Sequence, residues 1–261
     1  MSGGEPLVRA GIVDLVKMLA GIKGIDDLSL TTNGILLQRY ARRLKEAGLR
    51  RVNVSLDTLR EDRFNRICRR GGLQKVLKGI EAAHAAGLNP VKINMVVMRN
   101  INDDELLDFA RKTLAEEWHV RFIELMPFGE QGQDTTGFVP LTEIQERLAV
   151  LGELLPDSSV VGNGPARYYR LPSARGTLGF IGPITCGDFC LTCNRMRLTA
   201  DGKLHPCLLG DHEIDLLPTL RSGDLDGLRQ LIQQAVHVKP EGHYLSEGIK
   251  PKKRAMSQIG G

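Results

Sequence analysis

The stretch GLQKVLKGIEAAHAAGLNPVKINMVVM, residues 72–98, contains both periodicities on which the fold depends. Apolar residues recur every three or four positions from Leu73 to Ala83, which is the spacing of one helix face, and Gly87 follows as a stop signal. The run VKINMVVM, residues 91–98, is short, apolar and rich in β-branched residues, as buried strands are. A helix followed directly by such a strand is the repeating unit of a parallel β/α fold.

The same alternation extends over residues 7–127. Further helices are predicted at 7–21, 36–47 and 103–117, and further strands at 27–34, 50–57 and 119–128. Strands that alternate with helices of this length predict right-handed parallel units, as in a barrel or a doubly wound sheet. Ligands of such folds gather at the carboxyl ends of the strands, which here carry TTNG, SLD and ELMP.

A second region is predicted from residue 129 to 261, because the composition changes there. Thr142 is expected to cap a helix, with Gln145 completing a capping box. Residues 166–184 suggest β-structure, and MRLTADGKLHPCLL suggests a hairpin turned at Asp201-Gly202. The last helix is predicted at about residues 224–236. The predicted domains are therefore 1–128 and 129–261.

Composition limits the function classes only loosely. The chain has 261 residues, 42% of them hydrophobic, which is enough for a substantial core. The net charge of +4 suits an anionic ligand as readily as nucleic acid. Neither a charged start followed by an apolar stretch nor a run of 18 apolar residues is present, so we expect a soluble, cytoplasmic protein without a membrane partner.

The cysteines are concentrated in one segment, FCLTCNRMRLTADGKLHPC at residues 189–207. Four of the five cysteines lie between residues 186 and 207, which argues for metal ligation over disulfides. Cys190, Cys193 and Cys207 have the spacing C-x2-C-x13-C. Spacing alone supports an iron–sulfur cluster and a zinc site equally, the zinc site taking its fourth ligand from Cys186 or His205. Two arginines follow the second cysteine, which suits phosphate binding but also a solvated strand face.

Seven segments of the chain, in their order, resemble the motifs of the molybdenum-cofactor GTP 3′,8-cyclases, a radical S-adenosylmethionine (SAM) family. The segments are GGEP, TTNG, VSLD, VKIN, ELMPF, FCxxCNRxRLTADGKLxxC and a terminal Gly-Gly. The resemblance covers essentially the whole chain. It implies an α/β fold: an incomplete (β/α)6 radical SAM partial barrel that lacks its first strands, followed by a C-terminal α+β region with an auxiliary Fe–S cluster.

The resemblance also implies an activity and its partners. The enzyme would be a lyase of molybdopterin biosynthesis that converts GTP, with SAM, to 3′,8-cyclo-7,8-dihydro-GTP by radical chemistry. An external reductant and the next enzyme of the pathway would be its partners, a homodimer is an open option, and nucleic acid is not expected.

Site residues follow from the resemblance by matching motif positions. Those implied for SAM are Gly4, Glu5, Ser55 and Met126. Those implied for GTP are Thr31, Lys92, Arg195, Met196 and Arg197. Cys190, Cys193 and Cys207 would hold an auxiliary [4Fe–4S] cluster with one iron open to the guanine base. Catalytic roles are implied for Arg195, Arg197 and the terminal Gly260 and Gly261, which would reach into the active site.

One departure from the family pattern affects the expected activity. Cys186, Cys190 and Cys193 spell C-x3-C-x2-C, the spacing of the radical-generating cluster, but the family places that motif ahead of GGEP and with an aromatic residue where Thr192 stands. We interpret the match as coincidence. Only two residues precede GGEP, so we expect the second [4Fe–4S] cluster only in a longer form, and no turnover by this chain alone. The alternatives are a non-catalytic GTP- and Fe–S-binding remnant and a zinc-stabilised β/α protein.

Overall fold

The computed structural model describes residues 1–69, 71–126, 136–191, 193–243, 245, 251, 253–254 and 258. They form two compact units. Unit 1 comprises residues 1–125 and 136–185, and unit 2 comprises Met126 and the described residues from Cys186 onward.

Unit 1 contains six helices and seven strands among its described residues. In chain order they are α1 (Ile12–Ala20), β1 (Ser29–Thr32), α2 (Leu37–Glu46), β2 (Arg51–Ser55), α3 (Glu61–Cys68), α4 (Leu73–Ala85), β3 (Val91–Val97), α5 (Leu106–Ala115), β4 (His119–Glu124), α6 (Leu141–Leu148), β5 (Leu155–Pro156), β6 (Arg167–Arg170) and β7 (Thr177–Ile181). Short 3₁₀ turns lie at Pro6–Val8, Asp103–Glu105 and Ala149–Leu151.

The sheet of unit 1 has the strand order β1-β2-β3-β4-β7-β6-β5. The first five strands in that order are parallel, and β6 and β5 are antiparallel. The predicted α/β class with parallel β/α units is therefore confirmed. The sheet continues past the sequence-based boundary between residues 128 and 129, because β7 pairs with β4 along its whole length. Helix α3 was not predicted.

The helices cover one face of this sheet closely. Val52 and Val54 of β2 are fully buried, and α2 packs against α4. A Cβ added at Gly79 of α4 would lie 2.6 Å from the carbonyl oxygen of Gly34, in the turn after β1. Glycine at this position therefore permits the close approach of α4 to the turn.

The predicted cap of α6 is wrong. The helix begins at Leu141, so Thr142 lies inside its first turn, and the N-cap residue is Pro140, which makes no side-chain capping bond. Instead, the backbone N–H of Leu141 donates to Oε1 of Glu124, at 3.0 Å. A carboxylate from the end of β4 thus replaces the local cap, and sequence spacing does not reveal such a long-range partner.

Glu124 is also bonded to the last residues of unit 1. Its carboxylate accepts the backbone N–H groups of Ile184 and Thr185, at 3.0 and 3.1 Å, and the hydroxyl of Thr185. The side chain is fully buried, and these four donors satisfy its carboxylate. Glu124 therefore joins three segments of unit 1.

Unit 2 contains a small antiparallel sheet and two helices among its described residues. They are β8 (Arg197–Leu198), β9 (Lys203–His205), β10 (Ile214–Asp215), α7 (Leu217–Ser222) and α8 (Leu225–His237), with the strand order β10-β9-β8.

The predicted hairpin and last helix of unit 2 are confirmed. Gly202 has φ of +79°, as its turn position requires, and β8 pairs with β9. Leu204, Ile214, Leu216 and Ala235 form the core of the unit. No helix within the described ranges of the whole chain is long and apolar enough to cross a membrane.

Candidate functional site

Unit 1 presents a row of polar side chains on the face of the sheet opposite the buried valines. The register places Thr31, Asn53 and Lys92 side by side on β1, β2 and β3. Nδ2 of Asn53 donates to Oγ1 of Thr31 at 3.0 Å. Ser55 lies two residues further along β2 and is exposed. The sheet thus groups the predicted residues Thr31, Ser55 and Lys92.

Lys92 is a buried cation. Lys92 is only 2% exposed. Its Nζ donates to the carbonyl oxygen of Val161 and lies 5.3 Å from the ring centroid of Tyr168. Burial, reinforced by the charges of Arg51 and Arg121, lowers the pKa of Lys92 to about 7. A negatively charged ligand would restore the charged form.

Arg51 and Arg121 join this cluster, although they were not among the predicted site residues. Arg51 forms an ion pair with Asp27 at 2.6 Å. Nε of Arg121 donates to Oδ1 of Asn94 at 2.7 Å, and burial lowers the pKa of Arg121. Within the described part of the chain, neither Lys92 nor Arg121 lies within ion-pair distance of a carboxylate. The sequence does contain a signal for this position: in HVRFIE, Arg121 stands between the apolar Val120 and Phe122, and successive side chains of a strand point to opposite faces of the sheet.

Two further observations show that this cluster suits a polar ligand. Oδ1 of Asn53 is buried and has no hydrogen-bond partner among the described residues. Gly162 lies over the cations, since a Cβ there would be 2.8 Å from Nη2 of Arg51 and 3.1 Å from Nζ of Lys92. The cluster therefore offers positive charge and a free acceptor in a confined space.

The GGEP segment is attached to the edge of β1. Gly4 has φ of +51° and is exposed, with open space where a Cβ would point. The carboxylate of Glu5 accepts the backbone N–H groups of Leu7 and Asn33, at 3.0 and 2.7 Å, and the hydroxyl of Thr32 at 2.8 Å. Glu5 thus fixes the position of the glycine turn. Met126, the fourth residue predicted for SAM, is half-buried and belongs to unit 2.

In unit 2 the cysteine segment is a series of tight turns. Phe189 N–H donates to the carbonyl oxygen of Cys186, and Cys193 N–H to that of Cys190, both at 3.0 Å. None of the four cysteines of this unit is part of a disulfide. Burial, together with the nearby Cys190 and Cys193, raises the pKa of Cys207.

Cys193 has the opposite shift. Burial alone would raise its pKa, but the Arg195 N–H and the charges of Arg195 and Lys239 outweigh burial and lower it. The sulfur of Cys193 is therefore placed to carry negative charge, as a metal ligand does.

Arg195 and Arg197 lie on one face of the chain as it enters β8. Both are half-buried, whereas Met196 between them is exposed. The guanidinium of Arg195 lies 5.6 Å from the ring centroid of Phe189, and burial, reinforced by Arg195, lowers the pKa of Arg197. Considering only described residues, no carboxylate lies within ion-pair distance of either arginine. Two adjacent cations in this state favour an anionic ligand over a solvated strand face.

Comparison with known proteins places these features in one family. The Radical SAM superfamily matches residues 1–113, and the Molybdenum Cofactor Synthesis C family matches residues 118–245. The chain is 52% identical over 262 residues to the GTP 3′,8-cyclase of Moorella thermoacetica, covering 100% of this chain and 80% of that one. It is 52% identical over 265 residues to the GTP 3′,8-cyclase of Heliobacterium modesticaldum, with 100% and 81% covered.

The chain belongs to the GTP 3′,8-cyclase family. The resemblance carried by the sequence motifs is thereby confirmed, and the zinc-protein alternative is not favoured. A solved structure of TYW1 with a lysine-pyruvate adduct bound aligns with a TM-score of 0.40 at 18% identity, over 59% of this chain and 51% of that one.

The chemistry of the side chains in unit 2 suits an iron–sulfur cluster, because Cys190, Cys193 and Cys207 supply three thiols and cysteine is the usual ligand of such clusters. Three thiols lie on two short segments, and no set of three or more His, Cys, Asp or Glu side chains within the described ranges is gathered around a point as one metal ion requires. His205, which the sequence analysis gave as an alternative fourth ligand of a zinc site, is buried, and its Nε2 lies 3.9 Å from Oε1 of Glu213.

Two predicted site residues of this family lie outside the described residues. They are the terminal Gly260 and Gly261. Their predicted catalytic role stays a prediction.

Proposed function

We propose that this chain provides the GTP-binding and cluster-binding part of a GTP 3′,8-cyclase, the enzyme that converts GTP, with SAM, to 3′,8-cyclo-7,8-dihydro-GTP in molybdopterin biosynthesis. The observation that carries the proposal is the pair Arg195 and Arg197, two half-buried cations without a carboxylate partner among the described residues, which lie two and four residues after the proposed ligand Cys193. Its curated relatives carry the name of this reaction.

In unit 1, Lys92 and Arg121 would bind phosphate oxygens of GTP. Buried cations bind phosphate strongly because little water competes for the same hydrogen bonds. Thr31 and Asn53 would hydrogen-bond polar groups of the nucleotide. Gly4, Ser55 and the turn that Glu5 holds in place would contact SAM.

In unit 2, Cys190, Cys193 and Cys207 would hold the auxiliary [4Fe–4S] cluster. Three protein ligands would leave one iron of that cluster free to bind the guanine base, and Arg195, Met196 and Arg197 would contact GTP. The chemistry that SAM and a reduced iron–sulfur cluster supply in this superfamily is the formation of a carbon-centred radical. Met126 completes the proposed SAM contacts, and Gly260 and Gly261 the proposed catalytic residues.

The remaining partners are part of the same proposal. They are an external reductant, the enzyme that takes up the cyclised product, and a second copy of the chain in a homodimer. The cytoplasm is the proposed location, because GTP and SAM are made and used there.

The proposal is tested by GTP binding to the anaerobically reconstituted chain, measured by calorimetry. Arg195→Ala combined with Arg197→Ala removes two charge-assisted hydrogen-bond donors, so we expect affinity at least about tenfold weaker. Arg229→Ala, on the exposed surface of α8, is the matched control and should bind as the wild type does. Equal affinity in all three proteins would remove the arginine pair from the GTP site.

A further inference from the structure

Lys239 stands just beyond the end of α8 and is not part of any motif used above. Its backbone N–H donates to the carbonyl oxygen of Val236, which continues the last turn of the helix. The other end of the lysine is an ammonium group with three N–H donors. The partners of those donors determine what the residue does.

All three donors are directed at the cysteine-bearing segments. Nζ of Lys239 lies 3.5 Å from Sγ of Cys193, 2.9 Å from the carbonyl oxygen of Arg195 and 2.8 Å from the carbonyl oxygen of Pro206. Arg195 lies two residues after Cys193, and Pro206 directly precedes Cys207. One ammonium group therefore joins the segment that carries Cys190 and Cys193 to the segment that carries Cys207.

The helix that carries Lys239 is held firmly enough to impose this geometry. Ala235 of α8 is fully buried against Leu204 and Ile214, with Leu228 and Leu231 packed beside them. The helix end is thereby fixed relative to the small sheet, and β9 of that sheet leads directly into Cys207. The three contacts of Lys239 are thus supported by a packed core.

We propose that Lys239 is a positioning residue of the cluster site, which holds the two ligand segments together and raises the reduction potential of the cluster through its hydrogen bond to the sulfur of Cys193. This role rests on the proposed function, because it requires a cluster on these cysteines. A hydrogen bond and a positive charge at a ligand sulfur stabilise the reduced, more negative cluster more than the oxidised one. Groups of this kind outside the ligand set commonly tune metal sites.

The test is the midpoint potential and iron content of Lys239→Met after anaerobic reconstitution with iron and sulfide. We expect a more negative potential, a lower iron content, or both, relative to the wild type. Lys203→Met is the matched control: it removes the same charge from unit 2, but its ammonium group lies 3.6 Å from Glu213. The control should match the wild type in both measurements.

The outcomes separate this role from the proposed function. A wild-type chain that takes up no iron contradicts the cluster assignment and this role with it. A wild-type cluster whose potential and iron content are unchanged in Lys239→Met overturns only the role of Lys239. If Lys239→Met does not fold, Lys239→Gln replaces it, because the amide keeps N–H donors for the two carbonyl oxygens but removes the positive charge at the sulfur. A potential and an iron content equal to those of the wild type in that variant would equally overturn the role.

Discussion

Each unit contains two cations without a carboxylate partner among the described residues, and the two units hold these cations by different means. In unit 1, Lys92 and Arg121 stand on adjacent parallel strands, and the register of β3 and β4 fixes their separation. In unit 2, Arg195 and Arg197 stand at the entry of a strand of only two residues. Tight turns and the ammonium group of Lys239 support that entry.

This difference predicts different dependence on a bound group. The cations of unit 1, Lys92 and Arg121, lie on a seven-stranded sheet with a buried core, so their arrangement should persist without a ligand. The site of unit 2 relies on a few hydrogen bonds between short segments, so an iron–sulfur cluster would add much of its order. Trp118 is the single tryptophan and is buried in unit 1, so its fluorescence reports the unfolding of that unit.

The largest expected effect is the loss of iron from Cys193→Ala. The wild type should take up about four irons per chain on these cysteines, and the variant should lose them because one of three ligands is gone. The urea midpoint reported by Trp118 should not change. Cys68→Ala, at the exposed end of α3, is the control and should keep its iron. Iron retained by Cys193→Ala would contradict the contrast between the units. A change in the urea midpoint reported by Trp118 in this variant would contradict it too.

Glu124→Gln should destabilise unit 1 more than any single substitution in its cation cluster. The amide NH2 of glutamine would face N–H donors that now meet a carboxylate, at the buried Leu141 or at the partly buried Ile184 and Thr185. We expect the free energy of unfolding to fall by about 3 kcal/mol or more. The measurement is urea unfolding followed by Trp118 fluorescence. Glu143→Gln, whose carboxylate is partly exposed and pairs with Arg99, should show only a small part of that change. If both variants lose the same free energy of unfolding, the buried contacts of Glu124 stabilise unit 1 no more than the partly exposed ion pair of Glu143 does.

Lys92→Met should weaken GTP binding and remove the uptake of a proton that accompanies this binding. At about pH 8 the buried amine is mostly neutral, because its pKa is about 7. Phosphate favours the charged form, so binding takes up a proton, and wild-type affinity should fall as the pH rises through the range just above 7. Calorimetry in two buffers of different ionisation enthalpy measures the uptake.

The expected loss of affinity in Lys92→Met is about tenfold or more near neutral pH. Lys45→Met, on the exposed face of α2, provides the comparison and should keep both the affinity and the proton uptake. If Lys92→Met binds GTP with the same affinity and proton uptake as the wild type, the sheet cations do not bind the nucleotide.

The smallest effect is expected for Thr142→Ala. A side chain that capped α6 would cost about 1 kcal/mol when removed. Because Glu124 accepts the Leu141 N–H instead, we expect a change within about 0.5 kcal/mol. Thermal or urea unfolding measures it, and a loss near the full capping value would restore the sequence-based assignment.

Periodicity predicted most of the fold because it reflects which residues each element buries. The alternation of helix and strand patterns around residues 72–98 was enough for the parallel sheet, and Asp201-Gly202 was enough for the hairpin of unit 2. Helix α3 was missed because only Phe64 of its eight residues is buried, so the apolar pattern is weak.

The candidate site was predictable where a motif or a local spacing carries it. The cysteines and the two arginines beside them are close in sequence. Arg121 and Lys239 were missed because their roles depend on partners far along the chain: Asn94 lies 27 residues from Arg121, and Cys193 lies 46 residues from Lys239. Contacts at such separations exist only once the sheet and helices have packed.

The most direct measurement is anaerobic reconstitution of the chain with iron and sulfide, followed by iron counting and EPR of the dithionite-reduced protein with and without GTP. About four irons per chain and a signal that changes when GTP is added would show that residues 189–207 hold a cluster with an iron open to the substrate, as we propose. Bound zinc with no iron, or an iron signal indifferent to GTP, would contradict it.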